Sequence, residues 1–145
     1  MKRVRTAVVA LLLAAVAQPL QLHASAPAGI AGSVKVTVNY KGKGTVDAAH
    51  KVWVYLFDTP EIGAGSMPID MSALDKNESV ASFEVAASQV WVAVAFDQQG
   101  VMNGEGPPPT GSPIGILMLD GKPQPVVPGE KGTVTLTFDD TIRMP

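Results

Sequence analysis

The sequence predicts an all-β protein, an antiparallel β-sandwich of about seven strands. Short runs alternate apolar and polar residues, and stretches rich in Gly and Pro separate them. No segment has the length and periodicity of a convincing helix. Short strands divided by turns are typical of a sandwich, and parallel pairing throughout would require crossover helices for which the chain has no room.

The first 24 residues are predicted to be a signal peptide and not part of the fold. Three basic residues near the start precede the apolar run 7–17, and small residues follow near Ala24, where we expect cleavage. Ala17 is an alternative cleavage point. Residues 25–32 are predicted to be a linker, and residues 33–145 a single β-sandwich domain.

The composition limits the function classes. The chain has 11 basic and 13 acidic residues, and cleavage of the basic leader leaves the domain more acidic, which disfavours nucleic acid and anionic membranes as partners. The chain has no Cys, which excludes thiol catalysis and Cys-zinc sites. We expect a periplasmic or secreted protein without a membrane span in its mature form; the sequence leaves its oligomeric state open.

The first two predicted strands have different outward faces. Residues 33–40 alternate valines and a tyrosine with polar residues, which is typical of a strand solvated on one side. Residues 51–58 place Val52, Val54 and Leu56 on one face. The other face carries Trp53, Tyr55 and Phe57. The second strand is therefore predicted to be central or to have an aromatic outer face.

The middle of the chain contains the strongest strand signal. Residues 59–77 lose the alternation, and only a short helical turn over 71–76, with Asp70 as N-cap, is considered there. Residues 78–87 recover the alternation weakly, and we expect a strand there. Residues 89–97 alternate Val and Phe with Trp and Ala, so we expect a central strand apolar on both faces.

The last third begins with a long loop. Residues 98–113 are rich in Gly and Pro, and neither a helix nor a sheet ladder accommodates them. We then expect a short strand over 114–119, a turn, and an edge piece over 124–128. Residues 133–139 alternate Thr with Val, Leu and Phe, which predicts a half-exposed closing strand.

Several of these stretches resemble known domains. The runs around Val34–Tyr40, Val52–Phe57 and Val90–Phe96 resemble prealbumin-like β-sandwiches, including carboxypeptidase-regulatory-like domains. The strand that ends in Asp97, followed by Asn103 and then Gly-Pro, resembles a family of secreted bacterial domains of unknown function within that group. The resemblance implies attachment, presentation or accessory binding, not catalysis.

A calcium site is the first candidate for chemistry, although no cofactor is otherwise predicted. Calcium takes six to eight oxygen ligands, and Asp97, Asn103 and Glu105 lie close together in the sequence. Asp58 ends the other central strand, and neighbouring strand ends are expected to bring it towards Asp97. The competing interpretation is that these residues only form turns.

Binding through aromatic and proline residues is the second candidate. Trp53, Tyr55 and Trp91 form a stacking platform if their faces are exposed, or fill the core between the sheets if they are not. Pro107, Pro108 and Pro109 predict a pre-extended segment that either docks a partner or only connects the sheets.

The sequence predicts that the protein is not an enzyme. His50 is the only His of the mature chain, no nucleophile accompanies it, and no G-x-S-x-G motif is present. We therefore expect a non-catalytic binding or accessory module that recognises an envelope protein or surface polymer through its loops. The alternative is a calcium-dependent or carbohydrate-binding module.

Overall fold

The computed structural model describes residues 32–63 and 65–145, and these residues are all-β. The predicted signal peptide lies outside the described residues, as does the predicted linker except for Gly32, which begins the first strand. No helix capable of crossing a membrane occurs within those two ranges. The strands, in chain order, are β1 (Gly32–Tyr40), β2 (Val52–Phe57), β3 (Asp70–Leu74), β4 (Ser79–Val85), β5 (Trp91–Phe96), β6 (Ile114–Ile116), β7 (Met118–Leu119), β8 (Lys122–Pro123) and β9 (Thr133–Phe138).

The strands form two sheets and a small hairpin. One sheet has the order β4-β1-β9, the other has the order β3-β2-β5-β6, and β7 pairs with β8. The central positions of β2 and β5 agree with the prediction from their two apolar faces. Every ladder is antiparallel except β1–β9, in which the first and last strands of the domain pair in parallel.

The main hydrophobic core lies between the two sheets. Alternate residues of each strand point into it, as the period of two requires, and their neighbours point away. Fully burying one valine side chain contributes roughly 1.5–3 kcal/mol, so a row of valines is a major source of stability. The most completely buried of these side chains are Val34, Val36, Val38, Val52, Val54, Leu56, Val90, Val92, Val94 and Phe96.

Three short segments differ from their predictions. The strand expected over 114–119 is divided into β6, which pairs with β5, and β7, which pairs with β8. Residues 70–74 form the edge strand β3 and not a helical turn, because their main chain pairs with β2 from Leu56↔Asp70 to Val52↔Leu74. Only Leu74 of β3 is buried, so the segment lacks the apolar alternation from which a strand is recognised. Within 124–128, an isolated bridge joins Val126 to Val90, and the Gln124 N–H donates to the Leu117 carbonyl, but no continuous strand forms.

The four-stranded sheet is covered on its outer face as well. All six residues of β5 are buried, and so are five of the six residues of β2. The cover comes from two loops, residues 58–63 and 65–69 after β2 and residues 97–113 after β5. We call them the first loop and the second loop. They create a third layer on one side of the sandwich, and the candidate site lies beneath it.

Candidate functional site: an apolar cavity under two loops

A second apolar cluster lies on the outer face of the four-stranded sheet. Its buried members are Tyr55, Phe57, Ala93 and Ala95. The aromatic residues of β2 therefore neither fill the core between the sheets nor form an open platform, which corrects both predicted alternatives. They lie on the outer face under the loops, and Tyr55 and Phe57 each remain only 6% exposed. The partly buried residues around them are Trp53, Ile62, Met71, Met102, Ile114 and Ile116.

The strand register creates a trough across this face. Ala93 pairs with Tyr55 on one side and with Ile116 on the other. Ala95 lies in the same way between Trp53 and Ile114. Because side chains of directly paired residues stand next to each other on one face, the two alanines form a low row between two rows of bulky side chains.

The loops convert this trough into a cavity of about 570 Å³. This volume lies within the roughly 300–1,000 Å³ usual for small-molecule sites. No Lys, Arg, Asp or Glu side chain of the described residues lines it, so an uncharged ligand suits it best. Its side-chain walls are Tyr55, Phe57, Ile62, Ser66, Met67, Pro68, Met71, Ala93, Ala95, Pro107, Pro108, Ile114, Ile116, Met144 and Pro145.

The first loop is held by Ser66. Its hydroxyl donates to the Glu61 carbonyl at 2.7 Å and accepts from the Gly63 N–H at 2.9 Å. This turn places Ile62 and Met67 at the cavity wall. Met67 is 81% exposed, so an apolar and adaptable side chain stands at the cavity's rim.

The second loop is organised by Asp97. Its carboxylate is buried and accepts hydrogen bonds from the N–H groups of Val101, at 3.0 Å, and Met102, at 2.8 Å. Asn103 continues the pattern, because its side-chain oxygen accepts from the Glu105 N–H at 3.0 Å. These bonds explain the Asp and Asn residues at the end of β5 as the acceptors that shape the loop.

The predicted calcium ligands do not assemble. Phe57 of β2 pairs with Trp91 of β5, and Val52 pairs with Phe96. Asp58 and Asp97 therefore lie at opposite ends of these strands, roughly 20 Å apart at the usual rise per residue. The expectation that neighbouring strand ends bring Asp58 to Asp97 is wrong, because β2 and β5 are antiparallel. No group of three acidic, His or Cys side chains in the described ranges is placed to hold a metal ion.

A smaller cavity of about 70 Å³ adjoins the large one under the second loop. Its lining includes Asn103, Glu105 and Pro109, and it shares Tyr55 and Pro107 with the large cavity. Tyr55 therefore lies between an apolar compartment and a more polar one.

Tyr55 and Trp53 each bury a polar atom without a partner among the described residues. The atoms are the Tyr55 hydroxyl and Trp53 Nε1. A buried donor without an acceptor costs about 1–3 kcal/mol, so two on one face of one strand require an explanation. Burial and the nearby Asp97 carboxylate raise the pKa of Tyr55 to about 12.

The structure brings together most of the predicted binding residues. Tyr55, Pro107 and Pro108 line the large cavity, and Pro109 lines the small one. Trp53 lies directly beneath the second loop, where a Cβ at Gly104 would be 3.0 Å from its ring. Trp91 is buried opposite Phe57 and does not line either cavity.

No protein-family model, curated protein or solved structure matches this chain.

Several residues of the cavity were not predicted from the sequence. Met67 and Met71 follow β2 in a segment without periodicity, and Met144 comes from the end of the chain. Hydrogen bonds from the Gly111 N–H to the Met144 carbonyl and from the Met144 N–H to the Ser112 carbonyl hold Met144 against the second loop. The available signal was the small size of Ala93 and Ala95 on a strand otherwise built from large residues.

Proposed function

We propose that the protein is a non-catalytic binding module that holds an uncharged, predominantly apolar small molecule in the cavity of about 570 Å³. The observation that carries the proposal is a concave site of ligand size whose side-chain lining in the described chain is uncharged and mostly apolar. Binding removes the apolar surfaces of both the ligand and the site from water, which contributes about 25 cal/mol for each Å² buried.

The position of His50 supports a role without catalysis. His50 Nδ1 lies 3.0 Å from the Asp47 carboxylate in the turn before β2, and both side chains are substantially exposed. Neither residue lines either cavity. A general base requires hydrogen-bond reach to its substrate, and a ligand in the cavity has no such contact with His50.

The cavity favours a small apolar molecule over a carbohydrate. Carbohydrate binding by stacking requires exposed aromatic faces. Here Tyr55 and Phe57 lie under the loops, and Met, Ile and Pro side chains surround them. A lipophilic molecule is complementary to such a lining, whereas a sugar would leave many hydroxyl groups without partners.

The proposal also includes the compartment of the protein and the structural group of its domain. The basic and apolar leader supports export to the periplasm or beyond the cell. The two packed sheets support the β-sandwich architecture, and the prealbumin-like group within it is proposed on the sequence resemblance. In this account the two loops are the part of the domain that was adapted to a ligand.

Fluorescence titration with N-phenyl-1-naphthylamine tests the proposed function. This uncharged probe brightens in apolar surroundings, and we expect saturable binding to the wild type. Ala93→Trp fills the trough and should abolish the signal, because Ala93 lies in the cavity floor. Ala86→Trp is the matched control, since Ala86 is exposed beyond the end of β4. Equal probe binding by both variants would contradict the proposal.

A further inference from the structure

Strand β2 carries two buried hydrogen-bond donors without a partner among the described residues, Trp53 Nε1 and the Tyr55 hydroxyl. They bear on which polar group a ligand of the cavity carries. Trp53 and Tyr55 are two residues apart on one strand, so their side chains share the outer face and start about 7 Å from each other. Nε1 of the Trp53 indole only donates hydrogen bonds. The Tyr55 hydroxyl stays protonated far above neutral pH, because burial raises its pKa to about 12. Both groups therefore require acceptors.

Tyr55, whose hydroxyl is buried, is the donor residue that borders the large cavity. It lines that cavity and also the smaller one beneath the second loop. The main chain from Gly104 to Thr110 forms no hydrogen bond with a strand in the described ranges. The hydroxyl becomes accessible when this segment shifts outward, and main chain without hydrogen bonds to a strand opens at a low free-energy cost.

The charges around the cavities exclude anionic ligands. Glu105 lines the smaller cavity, and the Asp97 carboxylate is close enough to contribute to the raised pKa of Tyr55. No Lys or Arg of the described residues lines either cavity. A carboxylate or sulfonate placed here would face like charge without a compensating cation, whereas a neutral oxygen can accept from Tyr55 without this cost.

We infer that the ligand is an uncharged lipophilic molecule with a carbonyl-type hydrogen-bond acceptor, and that Tyr55 selects for this acceptor. The Tyr55 hydroxyl donates to the ligand's ketone or ester oxygen, while the remainder of the ligand occupies the trough over Ala93 and Ala95. The inference rests on the proposed binding function. It adds the chemical class of the ligand and the residue that determines specificity.

Competition by three ligands of one shape tests the inference. The competitors against N-phenyl-1-naphthylamine are 2-acetylnaphthalene, a ketone; 2-ethylnaphthalene, which has no acceptor; and 2-naphthoate, an anion. In the wild type, we expect the anion to compete much less well than the ketone. Tyr55→Phe should weaken ketone binding by roughly three- to tenfold, the usual effect of one hydrogen bond, and leave 2-ethylnaphthalene unchanged.

Tyr40→Phe is the matched control for Tyr55→Phe. It removes the same hydroxyl from the chain's other tyrosine, which belongs to the core between the sheets, and should change none of the three affinities. The inference is overturned if Tyr55→Phe changes ketone and hydrocarbon binding equally or changes neither. It is also overturned if the anion competes as well as the ketone. If the probe itself does not bind, or still binds to Ala93→Trp, the proposed function fails instead.

Discussion

Tyr40 and Tyr55 are the two tyrosines of the chain, and their hydroxyl groups have opposite environments. Tyr40 packs in the main core against Phe96, with ring centroids 4.5 Å apart, and donates a hydrogen bond to the Asp140 carboxylate. The Tyr55 hydroxyl is buried without a partner among the described residues. The first hydroxyl therefore stabilises the fold, whereas the second lowers stability as long as no acceptor reaches it.

Removal of each hydroxyl should have opposite effects on stability. We expect Tyr40→Phe to lower the free energy of unfolding by about 1.5–3 kcal/mol, the usual value for a hydrogen bond to a charged group. Tyr55→Phe should leave the free energy unchanged or raise it, because it removes an unpaired buried donor. Urea unfolding of the ligand-free proteins measures both. Equal losses in the two variants would contradict the assignment of Tyr55 as unpaired.

The same tyrosines should make the fold sensitive to alkali. Burial, with a smaller contribution from a neighbouring carboxylate, raises the pKa of both Tyr40 and Tyr55 from 10.0 to about 12. The stabilisation is fully present below pH 10, where both groups are protonated even in the unfolded chain. It is lost between pH 10 and about 12, because the unfolded chain ionises first. Phenolate absorbance should therefore rise near pH 12 in the folded protein; a midpoint near 10 would show that both hydroxyls are solvated.

Asp140 should make the fold sensitive to acid. The hydrogen bonds from the Tyr40 hydroxyl and the Lys43 N–H lower the pKa of Asp140 below its ordinary value of 3.8. This stabilisation is present above pH 3.8 and is lost as the pH falls through the lower folded-state pKa. Urea midpoints at decreasing pH should therefore fall more steeply for the wild type than for Asp140→Asn, which cannot ionise.

Asp97 should control the shape of the second loop. Asp97→Ala removes the acceptor of the Val101 and Met102 N–H groups, so we expect a loss of about 1–3 kcal/mol in the free energy of unfolding. Exchange of these two amide protons should become faster than in the wild type. Asp97→Asn retains one carbonyl oxygen and should lose less. Unchanged exchange in Asp97→Ala would show that the loop does not depend on this carboxylate.

At the scale of the elements, the alternating strands could be predicted from the sequence and the edge pieces could not. Strands β1, β4 and β9 place every second side chain in the core, so a period of two is sufficient to find them. Strand β3 buries only Leu74, and its main-chain pairing with β2 leaves no apolar alternation. The parallel β1–β9 ladder depends on contact between the ends of the domain, which local patterns do not reveal.

Close packing of β6 against β9 should make Gly115 intolerant of a side chain. A Cβ at Gly115 would lie 2.7 Å from the Phe138 Cβ across the core, so Gly115→Ala should cost about 1–3 kcal/mol of unfolding free energy by overpacking. Gly63→Ala is the control, because nothing described lies within 4 Å of its added Cβ. Thermal unfolding of both variants and the wild type measures this loss of stability. An unaffected Gly115→Ala would mean that the sheets are further apart at this end.

At the scale of the whole molecule, the site is built where three distant parts of the chain meet. The outer face of β2 and β5 supplies the floor, the two loops supply the walls, and Met144 is added by the end of the chain. The period of two predicts that Trp53, Tyr55 and Phe57 share a face, but it cannot say what covers that face. Tyr55, Pro107 and Pro108 were therefore among the residues singled out from the sequence that line the cavity, whereas the methionines and the alanine row were not.

The central claim is that the cavity under the two loops binds a small apolar molecule. Methionine methyl NMR tests it most directly, because methionines lie both in the cavity and on the surface outside it. Met67, Met71 and Met144 line the cavity, whereas Met118 is exposed in β7 and does not. On titration with N-phenyl-1-naphthylamine, the methyl resonances of Met67, Met71 and Met144 should shift together and saturate, while that of Met118 stays in place. If the three resonances do not move, or if Met118 moves with them, the cavity is not the binding site.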